Sequence, residues 1–179
     1  MLRLSSYIAF EMNDIPKAKM LMEKIMNTTI ENQRTAMDYE YNGKILLKEG
    51  NDSLAAENFE KSNQIDTTKT EILQDMGSMY MKLKKYPQAV NAYERRVNNG
   101  KGLTSTDYFN LARAYYFNND YTHADTLFAK VIELLPTWPN GILWRAQTNA
   151  QLDPDSKGGM AKPYYEEYIE VALADCAYA

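Results

Sequence analysis

Apolar and small residues recur along this chain at helical spacing, and the whole pattern recurs at a longer period. Between Thr106 and Pro136 the order is Tyr108, Leu111, Ala112 and Tyr115, then Ala124 and Phe128. Residues three or four apart share one face of a helix. Two amphipathic helices are therefore expected, joined at Asn118-Asn119-Asp120 and closed by Pro136. A small residue returns at Gly43, Gly77, Ala112 and Ala146, in steps of 34, 35 and 34. An alanine returns at Ala18, Ala55, Ala89, Ala124 and Ala161. Four positions after each alanine comes a large side chain: Met22, Phe59, Tyr93, Phe128 and Tyr165. The spacing predicts pairs of helices, A and B, in which the small residues allow close approach and the large side chain fills the gap between pairs.

The repeats are placed at about 1–34, 35–68, 69–103, 104–137 and 138–179, forming one domain without an internal linker. In the first, helix A spans Leu2 to Met12 and helix B Pro16 to Met26, with Pro16 tolerated in the first turn. Gly50-Asn51 reads as a helix stop followed by a cap. Tyr86-Pro87 opens the third helix B, and Asn98 to Gly102 is expected to be the most flexible connection. Thr104 and Asp107 have the spacing of a helix N-terminal cap. The last turn is lengthened by Asp153 to Gly159. Both terminal helices carry apolar residues, Leu2, Leu4, Ile8 and Phe10 at one end and Ile169, Val171 and Leu173 at the other. Repeat arrays need polar outer faces at their ends. The expectation is therefore a piece of a longer repeat protein, or a chain that self-associates through uncapped ends.

The aromatic–Leu-Ala–Tyr, Ala-x-x-x-Phe, Pro order of 108–136 resembles the tetratricopeptide repeat. The resemblance covers essentially the whole chain. It implies an all-α, right-handed superhelical solenoid of about five antiparallel helix pairs. It also implies a non-catalytic scaffold that binds a partner peptide or protein segment on the concave face lined by the A helices. The alternative is a structural spacer or self-association segment of a larger protein with no peptide ligand. Counting from the motif, the inward A-helix positions include Lys44, Lys82, Phe109, Arg113, Tyr116 and Gln147. The centre of the expected groove is Phe109, Arg113 and Tyr116, because arginine and aromatic residues make good interface anchors. These aromatics could equally pack against the neighbouring repeat. The family's carboxylate-gripping subset is not matched. Its positions hold Glu40, Lys44, Asp75, Thr106 and Asn110, or, one repeat later, Gln74, Ser78, Asn110, Asn140 and Trp144. Repeat 5 resembles bacterial members, many of which work in the cell envelope, so an envelope location is expected ahead of the cytoplasm.

Composition changes little in this picture. With 20 basic and 24 acidic residues the chain lacks the cationic balance of a nucleic-acid backbone binder. No apolar run reaches the roughly 18 residues of a membrane helix, so no membrane insertion is expected. The one cysteine, Cys176, permits no internal disulfide. Asp153-x-Asp155-x-Lys157-Gly158 opens like a calcium loop, but Lys157 and Tyr164 stand where ligands are required. The single histidine, His123, lacks partners at ligand spacing, and Asp120 and Asp125 read as complements of the helix dipole. No catalytic, metal or cofactor site is expected. Asn27-Thr28-Thr29 and Asn51-Asp52-Ser53 fit the glycosylation tripeptide and also serve as helix-boundary chemistry.

Overall fold

The computed structural model describes residues 1–177, with side chains through residue 174. Cys176 therefore lies outside the described side chains. Ten α-helices and no strand occur among the described residues. They are α1 (Leu2–Glu11), α2 (Ile15–Thr28), α3 (Ala36–Lys48), α4 (Asp52–Ile65), α5 (Ile72–Lys82), α6 (Tyr86–Asn99), α7 (Ser105–Phe117), α8 (Tyr121–Leu134), α9 (Pro139–Leu152) and α10 (Lys162–Ala177). Odd-numbered helices are the A helices and even-numbered ones the B helices. The chain divides into two compact units, Met1–Arg96 and Val97–Ala179.

In the first unit α1 packs on α2 and α3 on α4, and each B helix also packs on the next A helix, α2 on α3 and α4 on α5. Short turns between contacting helices make each pair antiparallel. One core gathers Tyr7, Ala18, Met22, Ile25 and Ile45 from α1 to α3. A second gathers Ala55, Phe59, Leu73, Met76 and Ala92 from α4 to α6. The small residue of helix A has a steric cause. A Cβ added at Gly43 would lie 2.7 Å from the ring of Phe59, and one added at Gly77 would press still closer on Tyr93. In the first repeat Ser6 fills this role, an assignment the Gly/Ala count missed. It is fully buried, and its hydroxyl donates to the Ala18 carbonyl at 2.9 Å.

In the second unit α7 packs on α8, α8 on α9, and α9 on α10. Thr104 and Asp107 form the expected capping box, with the Thr104 backbone N–H donating to the carboxylate at 2.8 Å. At Gly50-Asn51 the stop is present, but the Asn51 side chain makes no cap bond. α6 runs on to Asn99, so the predicted 98–102 loop begins later than the sequence suggests. Seven residues after the small position, the turn into helix B takes a positive φ in the first four repeats: 60° at Asn13, 79° at Gly50, 56° at Lys84 and 63° at Asn119. In the fifth repeat the lengthened turn carries it at Ser156 and Gly159 instead. Among the described residues, no helix is long and apolar enough to cross a membrane.

Candidate functional site

The six residues expected at the inward A-helix positions fall into two groups. In the first unit, Lys44 and Lys82 are engaged locally. Lys44 Nζ lies 2.7 Å from Glu40 and 4.9 Å from the centre of the Tyr41 ring. Glu40 also holds Lys69 at 2.7 Å. Burial pushes the Glu40 carboxyl up, but the two ammonium donors outweigh it and the net shift is down. Lys82 faces Asp52 at 3.6 Å. Asp75, one of the positions of the unmatched carboxylate-gripping pattern, is itself half-buried, and burial raises its pKa.

In the second unit, Phe109, Arg113 and Tyr116 meet around Trp144 of α9. Phe128, fully buried on α8, stacks on Trp144 with centroids 5.8 Å apart and planes 19° apart. Phe109 sits edge-on to Phe128 at 5.9 Å and to Trp138 at 4.8 Å. Tyr116 meets Trp144 edge-on at 5.3 Å, and Phe117 does so at 6.0 Å. Burial raises the Tyr116 hydroxyl pKa, helped by nearby Tyr121 and Tyr165. Edge-to-face geometry is the preferred arrangement of ring quadrupoles. The aromatics therefore do pack against the neighbouring repeat.

Arg113 lies over this cluster. Its guanidinium carbon is 5.7 Å from the Phe109 centroid and 5.4 Å from that of Trp144. Its Nε is buried and has no hydrogen-bond partner. No described residue forms an ion pair with it, in contrast to Arg145, which donates to Asp125 at 3.0 Å. Among the described residues the cation therefore rests on two ring faces, with its Nε unpaired. Gln147, one turn beyond Trp144's position on α9, is half-buried. Trp144 is the residue that counting from the motif undervalued. A tryptophan two positions before the small Ala146 was the available signal.

His123 is exposed. Its Nδ1 lies 2.8 Å from Asp120, and its ring stacks on Tyr115 at 5.0 Å. Asp120 also accepts the His123 backbone N–H, which is a helix-capping role. In the 153–160 turn the Asp153 carboxylate accepts the backbone N–H groups of Lys157 and Gly158 at 3.0 and 2.8 Å, so it closes the turn on itself.

Comparison with known proteins agrees with this architecture. The family model described as tetratricopeptide repeat matches residues 108–137, the segment from which the repeat pattern was read. MamA of strain AMB-1 superposes with a TM-score of 0.81 at 17% identity, over 96% of this chain and 90% of its own. MamA of strain MSR-1 gives 0.78 at 16%, over 97% and 96%. At that identity these two show the fold alone. No sequence among curated proteins matches the chain. The C-terminal part of a tetratricopeptide repeat-containing protein from Cytophaga hutchinsonii is 34% identical with a TM-score of 0.76, over 97% of this chain and 67% of that one. With that identity over nearly the whole length, and with five helix pairs built on one recurring small-residue and ring pattern, the chain belongs to the tetratricopeptide-repeat family.

Proposed function

We propose that the chain is a non-catalytic scaffold that binds a segment of a partner protein on the A-helix face of α7 and α9, part of the concave face expected of this family. The family generally mediates protein–protein interaction and is generally non-catalytic. The observation that carries the finer reading is Arg113. A half-buried guanidinium laid on Phe109 and Trp144, with a buried Nε left without a partner, is prepared to donate to an incoming carboxylate or carbonyl. The rings fix the cation, which lowers the entropy lost when a ligand engages it. Phe117, 36% exposed beside Trp144, supplies apolar surface next to the donor.

The test is a peptide-display selection against the whole chain, with selected peptides assayed on the wild type, Arg113→Ala and Phe117→Ala. Affinity is expected to fall about tenfold or more for Arg113→Ala, in line with an arginine anchor. Hydrogen exchange is expected to slow in α7 and α9 on binding. Selected peptides that bind both variants as they bind the wild type, and protect other helices, would remove the reading.

A further inference from the structure

The dipeptide Asn-Gly occurs three times, as Asn42-Gly43, Asn99-Gly100 and Asn140-Gly141. It is the asparagine sequence most prone to lose its amide, because glycine has no Cβ to keep its backbone nitrogen from the neighbouring side-chain carbonyl. The reaction needs that nitrogen to reach the Asn Cγ. A helical backbone holds the two apart and ties the N–H into the helical hydrogen-bond ladder. The structure places the three sites differently. Gly43 is buried in the middle of α3, and the Asn42 amide donates to Asn58 at 2.9 Å. Gly141 is buried in the first turn of α9, where its N–H donates to the Trp138 carbonyl at 3.1 Å. Asn99 is the last residue of α6 and is exposed, and Gly100 already lies outside the helix. Residues 100–104 carry no helix or strand, and Gly102 among them takes a φ of 64° with open space around it.

We propose that Asn99 is a site of spontaneous deamidation in the folded protein, and that Asn42 and Asn140 are spared. The Gly100 backbone nitrogen attacks Cγ of Asn99. A C–N bond forms, the bond from Cγ to Nδ2 breaks, and the proton given up by the Gly100 nitrogen leaves in ammonia. The product is a five-membered succinimide. Water then opens the ring, with no change of oxidation state. Attack at Cγ yields aspartate. Attack at the former backbone carbonyl yields isoaspartate, whose chain runs through the side-chain carbons. Either product puts a carboxylate on the last residue of α6, where the helix dipole disfavours negative charge. Isoaspartate also adds one backbone carbon, close behind the Arg96–Val97 boundary of the two compact units. The modification lies outside the α7–α9 face and involves none of its residues.

The test incubates the folded chain in mildly alkaline buffer and follows three tryptic peptides by mass spectrometry. Cleavage at lysine and arginine isolates one Asn-Gly in each, within residues 35–44, 97–101 and 131–145. A sample digested at once corrects for conversion during handling. Peptide 97–101 is expected to convert, in part to a form that an isoaspartyl methyltransferase labels. The other two wait on local opening of their helices and are expected to convert at least roughly tenfold more slowly. In guanidinium chloride all three should convert at similar rates. Gly100→Ala should slow the folded reaction severalfold, since a Cβ hinders the attack. Asn99→Gln should stop it, since glutamine needs a slower six-membered ring. A folded chain in which 97–101 stays intact while the unfolded chain converts would overturn the proposal. So would helical sites converting as fast as Asn99, or a Gly100→Ala variant converting at the wild-type rate.

Discussion

The two units close their helix pairs differently at the same position. In Met1–Arg96 the ring of helix B lies directly on a glycine of helix A, Phe59 on Gly43 and Tyr93 on Gly77, with no room for a methyl group. In Val97–Ala179 the corresponding residue is Ala112, fully buried, and Phe128 is stacked on Trp144 and edge-on to Phe109. Asp38 and Asp107 each close a capping box, with Thr35 and Thr104, and Asp38 also reaches a neighbouring helix. The first unit clasps α1 to α3 through Asp38, which accepts the Tyr7 hydroxyl at 2.6 Å and Arg3 Nε at 3.0 Å. Asp107, at the matching place in the second unit, takes the capping-box hydrogen bonds of Thr104. One repeat pattern is thus met by ring-on-glycine packing in one unit and by a ring cluster in the other. The teaching is that the period fixes where a ring goes, and the neighbouring A helix decides what the ring rests on.

The largest expected effect comes from removing the rings. Phe59→Ala and Phe128→Ala should each destabilise by about 3–5 kcal/mol, the range for an aromatic truncated in a closed core. Urea unfolding followed by circular dichroism checks this. Both tryptophans, Trp138 and Trp144, lie in the second unit. Phe128→Ala should therefore change native tryptophan emission, because its ring stacks on Trp144. Phe59→Ala should leave that emission as it is. Equal changes in both would break the division between the units.

Next comes the exchange of small residues. Gly77→Ala gains about 1 kcal/mol of helix propensity. Overpacking a closed core costs about 1–3 kcal/mol, and here the methyl would meet the buried ring of Tyr93. The net expectation is destabilisation, against the propensity scale. Ala112→Gly should also destabilise, by about 1 kcal/mol, but for the opposite reason, since it loses propensity without relieving a clash. A Gly77→Ala variant that is more stable than the wild type in urea would show that the ring can shift, and that glycine there reflects no steric need.

Much of this was legible in the sequence because a period repeats its reasons. Each alanine of helix B, and the large residue four places on, is buried in the first four copies, so counting finds them. The fold class followed from that alone. Ser6 escaped because a hydroxyl satisfied by the Ala18 carbonyl makes serine act as a small residue, although the step of twelve to Ala18 matches Gly43 to Ala55. Asp38 could not be read because its partners Tyr7 and Arg3 stand 31 and 35 positions away and pair only once α1 lies on α3. At the candidate site, counting brought Phe109, Arg113 and Tyr116 onto one face. It does not reveal that Trp144 holds them together, because Trp144 stands 28 to 35 positions away and meets them only once α9 lies beside α7.

Acidity separates the carboxylates of the first unit. Burial pushes Asp38 up, but hydrogen bonds from Thr35 and Tyr7, with the Arg3 charge, more than reverse it, so its folded pKa is lowered. The folded state then binds fewer protons than the unfolded one. The resulting stabilisation is present above the usual aspartate range and is lost as pH falls through the lowered value. Asp75 runs the other way. Burial raises its pKa, and its ionised form opposes folding as pH rises. Asp75→Asn should raise the melting temperature at pH 7, and that gain should vanish near pH 3. Asp38→Asn should lower it at pH 7, with a smaller loss in acid. Melting curves at the two pH values read both signs.

The smallest effect concerns the turn into helix B. Lys84 has φ 56° where the other repeats place Asn13, Gly50 and Asn119. A left-handed conformation costs an ordinary L-residue about 1–2 kcal/mol, and glycine avoids that cost. The unfolded chain gains freedom from glycine worth about 0.5–1 kcal/mol, which offsets part of the relief. Lys84→Gly should therefore stabilise the chain by roughly 0.5–1 kcal/mol as the difference of those two figures. Gly50→Lys, in the matching turn at φ 79° with open space around it, should destabilise by a similar amount. Opposite shifts of similar size in urea midpoint would show that the turn is set by backbone conformation alone. If Lys84→Gly destabilised instead, the lysine side chain would have to be supplying a contact that outweighs the strain of its backbone.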